Sequence, residues 1–235
     1  MAAPSTSDDG PVVTELQVGG SRPQLCITIE PNEGLIFSGG DDCQVNVCTW
    51  DGERLQTHPS SPFEQPQGWV SGLDVSPTSR LLSSASLDDK CVRVYDVNNG
   101  GAVVFTFSTQ SYALSCAFNP KGSSIVGGDQ GGVAYVWRVG DGSLLATLKH
   151  NSSMKPIHAT SFPPNNRDLV ACYHQDQCVC FWDLTHPSSP VHTIDSAGDG
   201  CGIHGGFSMA ISPHVNESSR ECFIGVGVRE VRVRE

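Results

Sequence analysis

The chain has 235 residues, of which only 17% are charged, and its formal net charge is −11 at pH 7. This acidic balance argues against general binding to nucleic acids or anionic membrane surfaces, because both require a surplus of Lys and Arg. The N-terminal residues MAAPSTSDDG lack the regions of a secretory signal, and no apolar run reaches the roughly eighteen residues of a membrane span. We therefore expect a cytoplasmic or nuclear protein with reduced cysteines, whose partners are proteins or peptides.

The first ten residues are polar and acidic and are predicted to form a disordered tail. Residues 12–18, VVTELQV, resemble two later segments, AVVFTFS and LLATLKH, and all three are predicted to form strands. The frequent Gly and Pro residues, 25 and 15 respectively, favour many short strands joined by turns.

From residue 29 onward, a large apolar residue followed by any residue and a proline recurs five times. These anchors are IEP at 29–31, VSP at 75–77, FNP at 118–120, FPP at 162–164 and ISP at 211–213. Each anchor is followed by an apolar run, a turn and a second run, and the second runs read CQVNVCTWD, CVRVYD, VAYVWR, CVCFWD and VRVRE. A repeat of this length predicts stacked supersecondary units.

This pattern resembles the WD40-repeat family, in which each repeat of about 40–45 residues makes one propeller blade. The resemblance covers residues 11–235 and implies an all-β propeller of about five blades, each with four antiparallel strands. The repeats are expected at about 19–57, 58–107, 108–149, 150–195 and 196–235. Residues 11–18 would supply the outer strand of a closing blade in a closed ring, and an open, truncated arc is the alternative.

The resemblance also implies hydrogen bonds that brace each blade, among a His, a Ser or Thr, an Asp and a Trp. In the fourth repeat these would involve His150, Asp176 and Trp182. The second repeat offers Ser84, Ser86 and Tyr95, with Asp88 or Asp89. Trp137 fits in the third repeat, where Asp129 is displaced by two residues, whereas Trp50 in the first arrives two residues late. The fifth repeat has Val228 and Arg234 at the Asp and Trp positions and is expected to be the weakest.

Sorting charges by blade end predicts one acidic face. The turns between second and third strands carry Asp41, Asp42, Asp88, Asp89, Asp129 and Asp176, whereas the opposite turns carry Arg80, Lys121, Arg167 and Arg220. Some of these acids would brace their own turns. The others, with Asp41, Asp42, Asp88, Asp89 and Asp129 as candidates, could bind a basic peptide, or could form a merely solvated acidic rim.

Catalytic and metal motifs are weak. No GxSxG elbow is present, and GGDQGG at 127–132 precedes a strand and lacks the Lys of a P-loop, so a tight turn explains it. Cys201, His204, His214 and Cys222 form a weak candidate zinc set, because four such ligands lie within 22 residues but match no standard spacing. No cofactor is expected.

The sequence therefore predicts a non-enzymatic scaffold that binds a protein or a basic peptide within a larger complex. One alternative is a truncated propeller whose missing blades are completed by another chain. An alternative of another class is a zinc-bearing or hydrolytic protein that uses the fifth repeat.

Overall fold

The structure is a computed structural model of the chain. It describes residues 22–30, 32–50, 55–57, 63, 66–150, 155–164, 166–194, 209–211, 221–226 and 229–234. Within these ranges the regular secondary structure is all β-strand, so the part of the chain that can be described contains no helix able to cross a membrane.

The strands form five consecutive antiparallel sheets, each called a blade here. Blade 1 holds β1 (Gln24–Glu30), β2 (Leu35–Gly40), β3 (Val45–Trp50) and β4 (Leu55–Thr57). Blade 2 holds β5 (Val70–Val75), β6 (Leu81–Ser86), β7 (Cys91–Asp96) and β8 (Ala102–Ser108). Blade 3 holds β9 (Ala113–Phe118), β10 (Ser124–Asp129), β11 (Val133–Arg138) and β12 (Leu144–Lys149). Blade 4 holds β13 (Ile157–Ser161), β14 (Leu169–His174), β15 (Val179–Asp183) and β16 (His192–Ile194). Blade 5 holds β17 (Met209–Ile211), β18 (Glu221–Val226) and β19 (Arg229–Arg234).

Each blade is a meander in which neighbouring strands in the chain are also neighbours in the sheet. The first strand of each blade contacts the first strand of the next, from β1 to β5, β9, β13 and β17. These five inner strands therefore surround a common axis, and the predicted all-β propeller architecture is confirmed.

Apolar side chains between neighbouring blades form the core. Phe37, Val45, Val70 and Leu82 join blades 1 and 2, and Trp137 is stacked on Phe107 between blades 2 and 3, with ring centroids 4.8 Å apart. Between blades 3 and 4, the fully buried Trp182 packs in a cluster with Leu148, Ile157 and Val170. Both faces of an internal blade are therefore covered by sheets, as burial in a propeller requires.

Two glycines allow the close approach of consecutive blades. A Cβ on Gly39 of β2 would lie 2.7 Å from Cβ of Val70, and a Cβ on Gly128 of β10 would lie 2.6 Å from Cγ2 of Ile157. A larger residue would separate the blades, so Gly39 and, within the GGDQGG segment, Gly128 have a packing role.

Among the described residues, no neighbouring sheet covers the apolar side chains of the inner strand of blade 1. Leu25, Ile27 and Ile29 of β1 are 50%, 61% and 59% exposed, although aliphatic side chains on an inner strand are normally packed. The described residues thus form an open propeller. Residues 11–18, which were expected to supply a closing strand, lie outside the described part of the chain.

The core position of Trp182 leads to a testable difference in stability. Trp182→Ala is expected to lower the free energy of unfolding by about 3–5 kcal/mol, because it leaves a large cavity between blades 3 and 4. The matched control is Trp69→Ala, since Trp69 is 49% exposed and its removal should leave this free energy nearly unchanged. Urea unfolding of both variants checks the expectation, and equal losses would contradict the placement of Trp182. The side chain of Trp50 lies outside the described residues.

Candidate functional site

One face of the propeller is defined by a hydrogen bond that recurs in four blades. In each of these blades, the residue directly after the second strand donates its backbone N–H to the carbonyl oxygen of the residue directly before the inner strand. The N–O distances are 3.2 Å for Asp41 to Pro23, 3.0 Å for Leu87 to Trp69, 2.9 Å for Gln130 to Tyr112 and 2.8 Å for Gln175 to Pro156. We call the face that contains these residues the upper face. It brings the second turn of each blade next to the segment that links that blade to the preceding one.

Two large aromatic side chains are exposed on the upper face. Trp69 is 49% exposed and Tyr112 is 37% exposed, and both occupy the position directly before an inner strand. The Nζ atom of Lys90 lies 5.8 Å from the centroid of the Tyr112 ring, within the range of a cation–π contact. Neither aromatic was predicted from the sequence, although their equivalent position in two repeats could have indicated them.

Three of the expected acids lie at the surface of this face. Asp88 is exposed, and Asp41 and Asp42 are half-buried. Asp42 accepts hydrogen bonds from the side-chain amides of Gln24 and Asn46, each at 3.1 Å, so part of its acceptor capacity is already used. Oδ1 of Asp41 is inaccessible to solvent, so Asp88 is the most exposed of the three acids.

Asp129 does not lie at the surface, and its expected role in a peptide-binding rim is corrected. It is the last residue of β10 and is fully buried. Its carboxylate accepts hydrogen bonds from the N–H of Val133 at 2.9 Å, the N–H of Ser111 at 3.3 Å and the hydroxyl of Tyr135 at 3.4 Å. The displacement by two residues noted in the sequence moves this side chain from the turn into the strand, where it braces blade 3.

Asp89 also has a structural position. Its oxygens accept hydrogen bonds from the hydroxyl of Ser86, the guanidinium of Arg93 and the N–H of Gln67. Burial alone would raise the pKa of Asp89, but the hydrogen bonds from Ser86 and Arg93 lower it below its ordinary value. Asp89 rather than Asp88 therefore holds the second turn of blade 2.

The expected bracing residues of blades 2 and 3 lie in the core. The hydroxyl groups of Ser84 and Tyr95 are 3.1 Å apart and both are buried. In blade 3, the ring of Trp137 is stacked between Phe107 and Tyr135, at centroid distances of 4.8 and 5.7 Å. In each of these two blades, an aromatic side chain of the third strand thus contacts buried side chains of the core.

The expected bracing residues of the fourth blade lie at different depths, with Trp182 buried and the other two closer to the surface. Asp176, expected to brace Trp182, is exposed in the turn, where its Oδ1 accepts the N–H of Cys178 at 3.4 Å. His150 is half-buried, and its ring centroid is 6.4 Å from that of His174. The buried His174, which the sequence analysis missed, has its Nδ1 3.3 Å from the carbonyl oxygen of Lys155, and burial lowers its pKa.

Cations on the opposite, lower face take part in contacts at the ends of the blades. Arg80 of blade 2 donates to both carboxylate oxygens of Glu33 in blade 1. The hydroxyl of Thr78 donates to the carbonyl of Lys121 at 2.9 Å, which links blades 2 and 3, and Arg167 pairs with Asp168 at 3.4 Å. On the upper face, exposed Lys155 adds a cation that the sequence analysis did not count.

A cavity of about 660 Å³ lies where the inner strands converge. Each of the first four inner strands has a β-bulge, and the extra residues are Leu25, Ser71, Leu114 and His158. All four line this cavity. A bulge redirects a side chain away from the regular alternation of the strand, so the same irregularity in four blades shapes one space.

Asp74 is the charged residue of this cavity wall. Its Oδ2 accepts the N–H of Phe118 in the next blade at 2.6 Å. Burial raises the pKa of Asp74 from 3.8 to about 6, although its hydrogen bonds from Phe118 and Val75 oppose this shift. Only a small change in pH below neutrality is therefore needed to change its charge.

The candidate zinc set stays a prediction. Cys201, His204 and His214, together with the side chain of Cys222, lie outside the described residues. The residues that the structure does describe contain no group of three His, Cys, Asp or Glu side chains suited to a metal ion.

Comparison with known proteins links this architecture to a repeat family. The family model described as "WD domain, G-beta repeat" matches residues 55–96 and 142–183. Each match begins near the outer strand of one blade and ends at the third strand of the next.

Three relatives illustrate the range of similar proteins. The WD40 repeat protein poxJ of Penicillium oxalicum is 32% identical over 51% of this chain and 35% of its own length. Human Striatin-4 is 28% identical over 73% of this chain and 24% of its own length. The diphthine methyltransferase homolog of Dictyostelium discoideum is 23% identical over 67% of this chain and 49% of its own length. The chain therefore spans less than half the length of these relatives.

Substitution of individual acids can separate structural from surface roles. Asp129→Ala is expected to lower the free energy of unfolding by about 2–4 kcal/mol, because it leaves the buried N–H of Val133 and two further donors without an acceptor. Asp88→Ala is the matched control and should change it by less than about 0.5 kcal/mol. Chemical denaturation measures both, and a stable Asp129→Ala variant would contradict the bracing role.

Asp74 is expected to make stability depend on pH. Between about pH 4 and pH 6 the folded state holds the Asp74 proton while the unfolded state loses it, so the contribution of Asp74 to stability falls as pH rises. Asp74→Asn removes this titration and retains an acceptor for Phe118. Relative to the unsubstituted protein, the variant should gain about 1–3 kcal/mol of stability between pH 4 and pH 7. Urea unfolding across this range measures the difference, and a constant difference would exclude the raised pKa.

Proposed function

We propose that this chain, which matches the WD40-repeat model over residues 55–96 and 142–183, acts as a non-enzymatic scaffold that docks a basic protein segment on its upper face. The observation that carries the proposal is the pair of exposed aromatics, Trp69 and Tyr112, at equivalent positions beside acidic turns. The similarity to WD40-repeat proteins supports a protein-interaction role in general, and the proposal adds the face and the basic partner.

Exposed aromatic side chains are suited to binding a partner. Trp and Tyr bury large apolar areas with few rotatable bonds, and they often contribute most of the binding energy at interfaces. Trp69 and Tyr112 precede the neighbouring inner strands β5 and β9, which are in contact. A segment that crosses from blade 2 to blade 3 could therefore contact both rings.

The charges beside the aromatics favour a partner with Lys or Arg residues. Asp88 lies in the turn that bonds to the Trp69 carbonyl, and Asp41 occupies the corresponding turn of blade 1. Lys90, which lies against the Tyr112 ring, and Lys155 reduce the acidity toward blades 3 and 4. Opposite charges would then steer the partner's orientation, with its basic end toward blades 1 and 2.

An enzymatic role is the alternative from another class. The name of the diphthine methyltransferase homolog denotes an enzyme, and the chain covers 49% of that protein. Among the groups described on the upper face, the aromatic and acidic side chains form a surface suited to recognition, and none of them pairs a nucleophile with a general base. This arrangement supports the scaffold proposal.

Peptide binding tests the proposed docking face. A short Lys/Arg-rich peptide is expected to bind more tightly than an Asp/Glu-rich peptide of equal length, and its affinity should fall as salt screens the surface charges. Trp69→Ala combined with Asp88→Asn should raise the Kd roughly ten- to thirtyfold, as expected for the loss of an interfacial aromatic and a complementary charge. Isothermal titration calorimetry measures both effects.

The matched control is Asp168→Asn, which removes an acid from the lower face. It should leave binding of the basic peptide unchanged. Equal affinity for basic and acidic peptides, or an equal effect of Asp168→Asn, would exclude the upper face as the docking surface.

A further inference from the structure

Two cysteines lie opposite each other in the middle of blade 4. Cys172 of β14 and Cys180 of β15 are direct partners in the antiparallel register of these strands. Directly opposite residues of such a pair project to the same side of the sheet, and both cysteines belong to the core cluster between blades 3 and 4. Among the strand pairs that the structure describes, this is the only place where one cysteine is the partner of another.

The backbone hydrogen bonds of the hairpin define the spacing of this pair. The N–H of His174 donates to the carbonyl oxygen of Cys178 at 2.9 Å, and these residues follow Cys172 and precede Cys180 by two positions. Hydrogen-bonded pairs recur at every second residue of an antiparallel ladder, so Cys172 and Cys180 also form such a pair. The Cα atoms of a hydrogen-bonded pair are about 5.5 Å apart, within the usual separation of about 4.4–6.8 Å across a disulfide. The backbone therefore already places the two thiols at a distance that a disulfide can bridge.

The pair is shielded from reagents while blade 4 is closed. Both side chains are fully buried. Burial raises the pKa of the Cys172 thiol above its ordinary value, and the neighbouring Cys180 adds to this shift. Because the thiolate is the nucleophile in disulfide exchange, the closed core suppresses the reaction. Exchange therefore takes place when blade 4 opens locally.

The short outer strand of blade 4 provides a place for such opening to begin. β16 has three residues, whereas the outer strands of blades 2 and 3 have seven and six. Thr193 of β16 is the ladder partner of Cys180, and its hydroxyl oxygen lies 3.9 Å from the Cys180 sulfur. An edge strand with few hydrogen bonds opens at a lower free energy than the core strands of a domain. Separation of β16 therefore removes the contact of Thr193 with the Cys180 sulfur and leaves most of the propeller intact.

We propose that Cys172 and Cys180 form a reversible oxidation site, at which a small disulfide such as oxidised glutathione converts the two thiols into a cross-strand disulfide. In the first step the Cys180 thiolate attacks one sulfur of the oxidant, which forms a mixed disulfide and releases one glutathione thiolate. The Cys172 thiolate then attacks the Cys180 sulfur, forms the protein disulfide and releases the second glutathione. The protein loses two protons and two electrons, and the oxidant gains them as two thiols.

The new bond acts as a redox-dependent clamp on blade 4. It joins β14 to β15 close to the upper turn that contains Gln175 and Asp176. Directly opposite Cβ atoms are about 4.5–5.5 Å apart, whereas a disulfide holds them at about 3.5–4.5 Å, so the bond draws the strands together and is readily reduced. In a reducing compartment, disulfides of this kind are transient and respond to the redox state. Because the clamped strands cannot separate, hydrogen exchange in this hairpin slows on oxidation.

Disulfide mapping tests the proposed site. The full chain is incubated with oxidised glutathione, quenched with acid, alkylated and digested with chymotrypsin for mass spectrometry. Chymotrypsin cleaves after Tyr173, so Cys172 and Cys180 lie on separate peptides unless a disulfide joins them. We expect this linked peptide from most molecules, and an excess of reduced glutathione should remove the link. Fragmentation distinguishes Cys180 from Cys178 on the same peptide, and a bond to Cys178 or the absence of a linked peptide would overturn the proposal.

Two matched substitutions test the clamp, since each replaces one buried cysteine of the core by alanine. Cys116→Ala retains both thiols of the pair and should still form the Cys172–Cys180 bond, whereas Cys172→Ala should give no linked peptide. Oxidation should slow amide hydrogen exchange in the β14–β15 hairpin roughly tenfold in the unsubstituted protein and in Cys116→Ala, and not in Cys172→Ala. If Cys172→Ala fails to fold, the comparison of oxidised and reduced unsubstituted protein decides. Equal exchange rates in these two states would overturn the clamp.

Discussion

The close approach of each inner strand to the preceding blade is the constraint on which the rest of the structure depends. Gly39 and Gly128 permit this approach, because a Cβ at either position would collide with Val70 or Ile157 of the next blade. Once the inner strands are this close, the larger side chains between the blades can interdigitate, as Trp137 and Trp182 do. The same proximity makes the bulges of four strands surround one cavity. Core packing and the shape of the cavity therefore both depend on the close approach of the inner strands.

Small shifts in register decide which acids stabilise the fold and which face solvent. Asp129 is a strand residue and accepts three hydrogen bonds in the core, whereas Asp176, at the turn position, is exposed. In blade 2 the adjacent residues Asp88 and Asp89 divide these roles, because only Asp89 is within reach of Ser86 and Arg93. The upper face is consequently less acidic than a count of aspartates implies, and its character depends on aromatic side chains as well.

Most of the fold could be predicted from the sequence, because the anchors and the paired apolar runs repeat with one period. The hydroxyl contact of Ser84 with Tyr95 follows from the same pattern, since both residues stand where the family places them. The candidate site was predicted less well. Trp69 lies in a linking segment outside the alternating apolar runs, so only its equivalence to Tyr112 in the next repeat could have indicated it, and the burial of Asp129 depends on a shift of two residues. The cavity could not be predicted, because it forms from strands that are more than forty residues apart in the chain and meet only after packing.

The offset between sequence repeat and blade has a consequence for how the propeller can evolve and unfold. Each matched segment contributes the outer strand of one sheet and the first three strands of the next. No covalent repeat therefore corresponds to an independent structural unit. Duplication or loss of one such segment exchanges strands between two sheets and preserves the hydrogen-bonded ladder of both. Conversely, a chain break between two blades divides the repeat that spans their boundary. Neighbouring blades are therefore thermodynamically coupled through the chain itself, in addition to their packing, and local opening of one blade should propagate to the adjacent blade before it reaches distant ones.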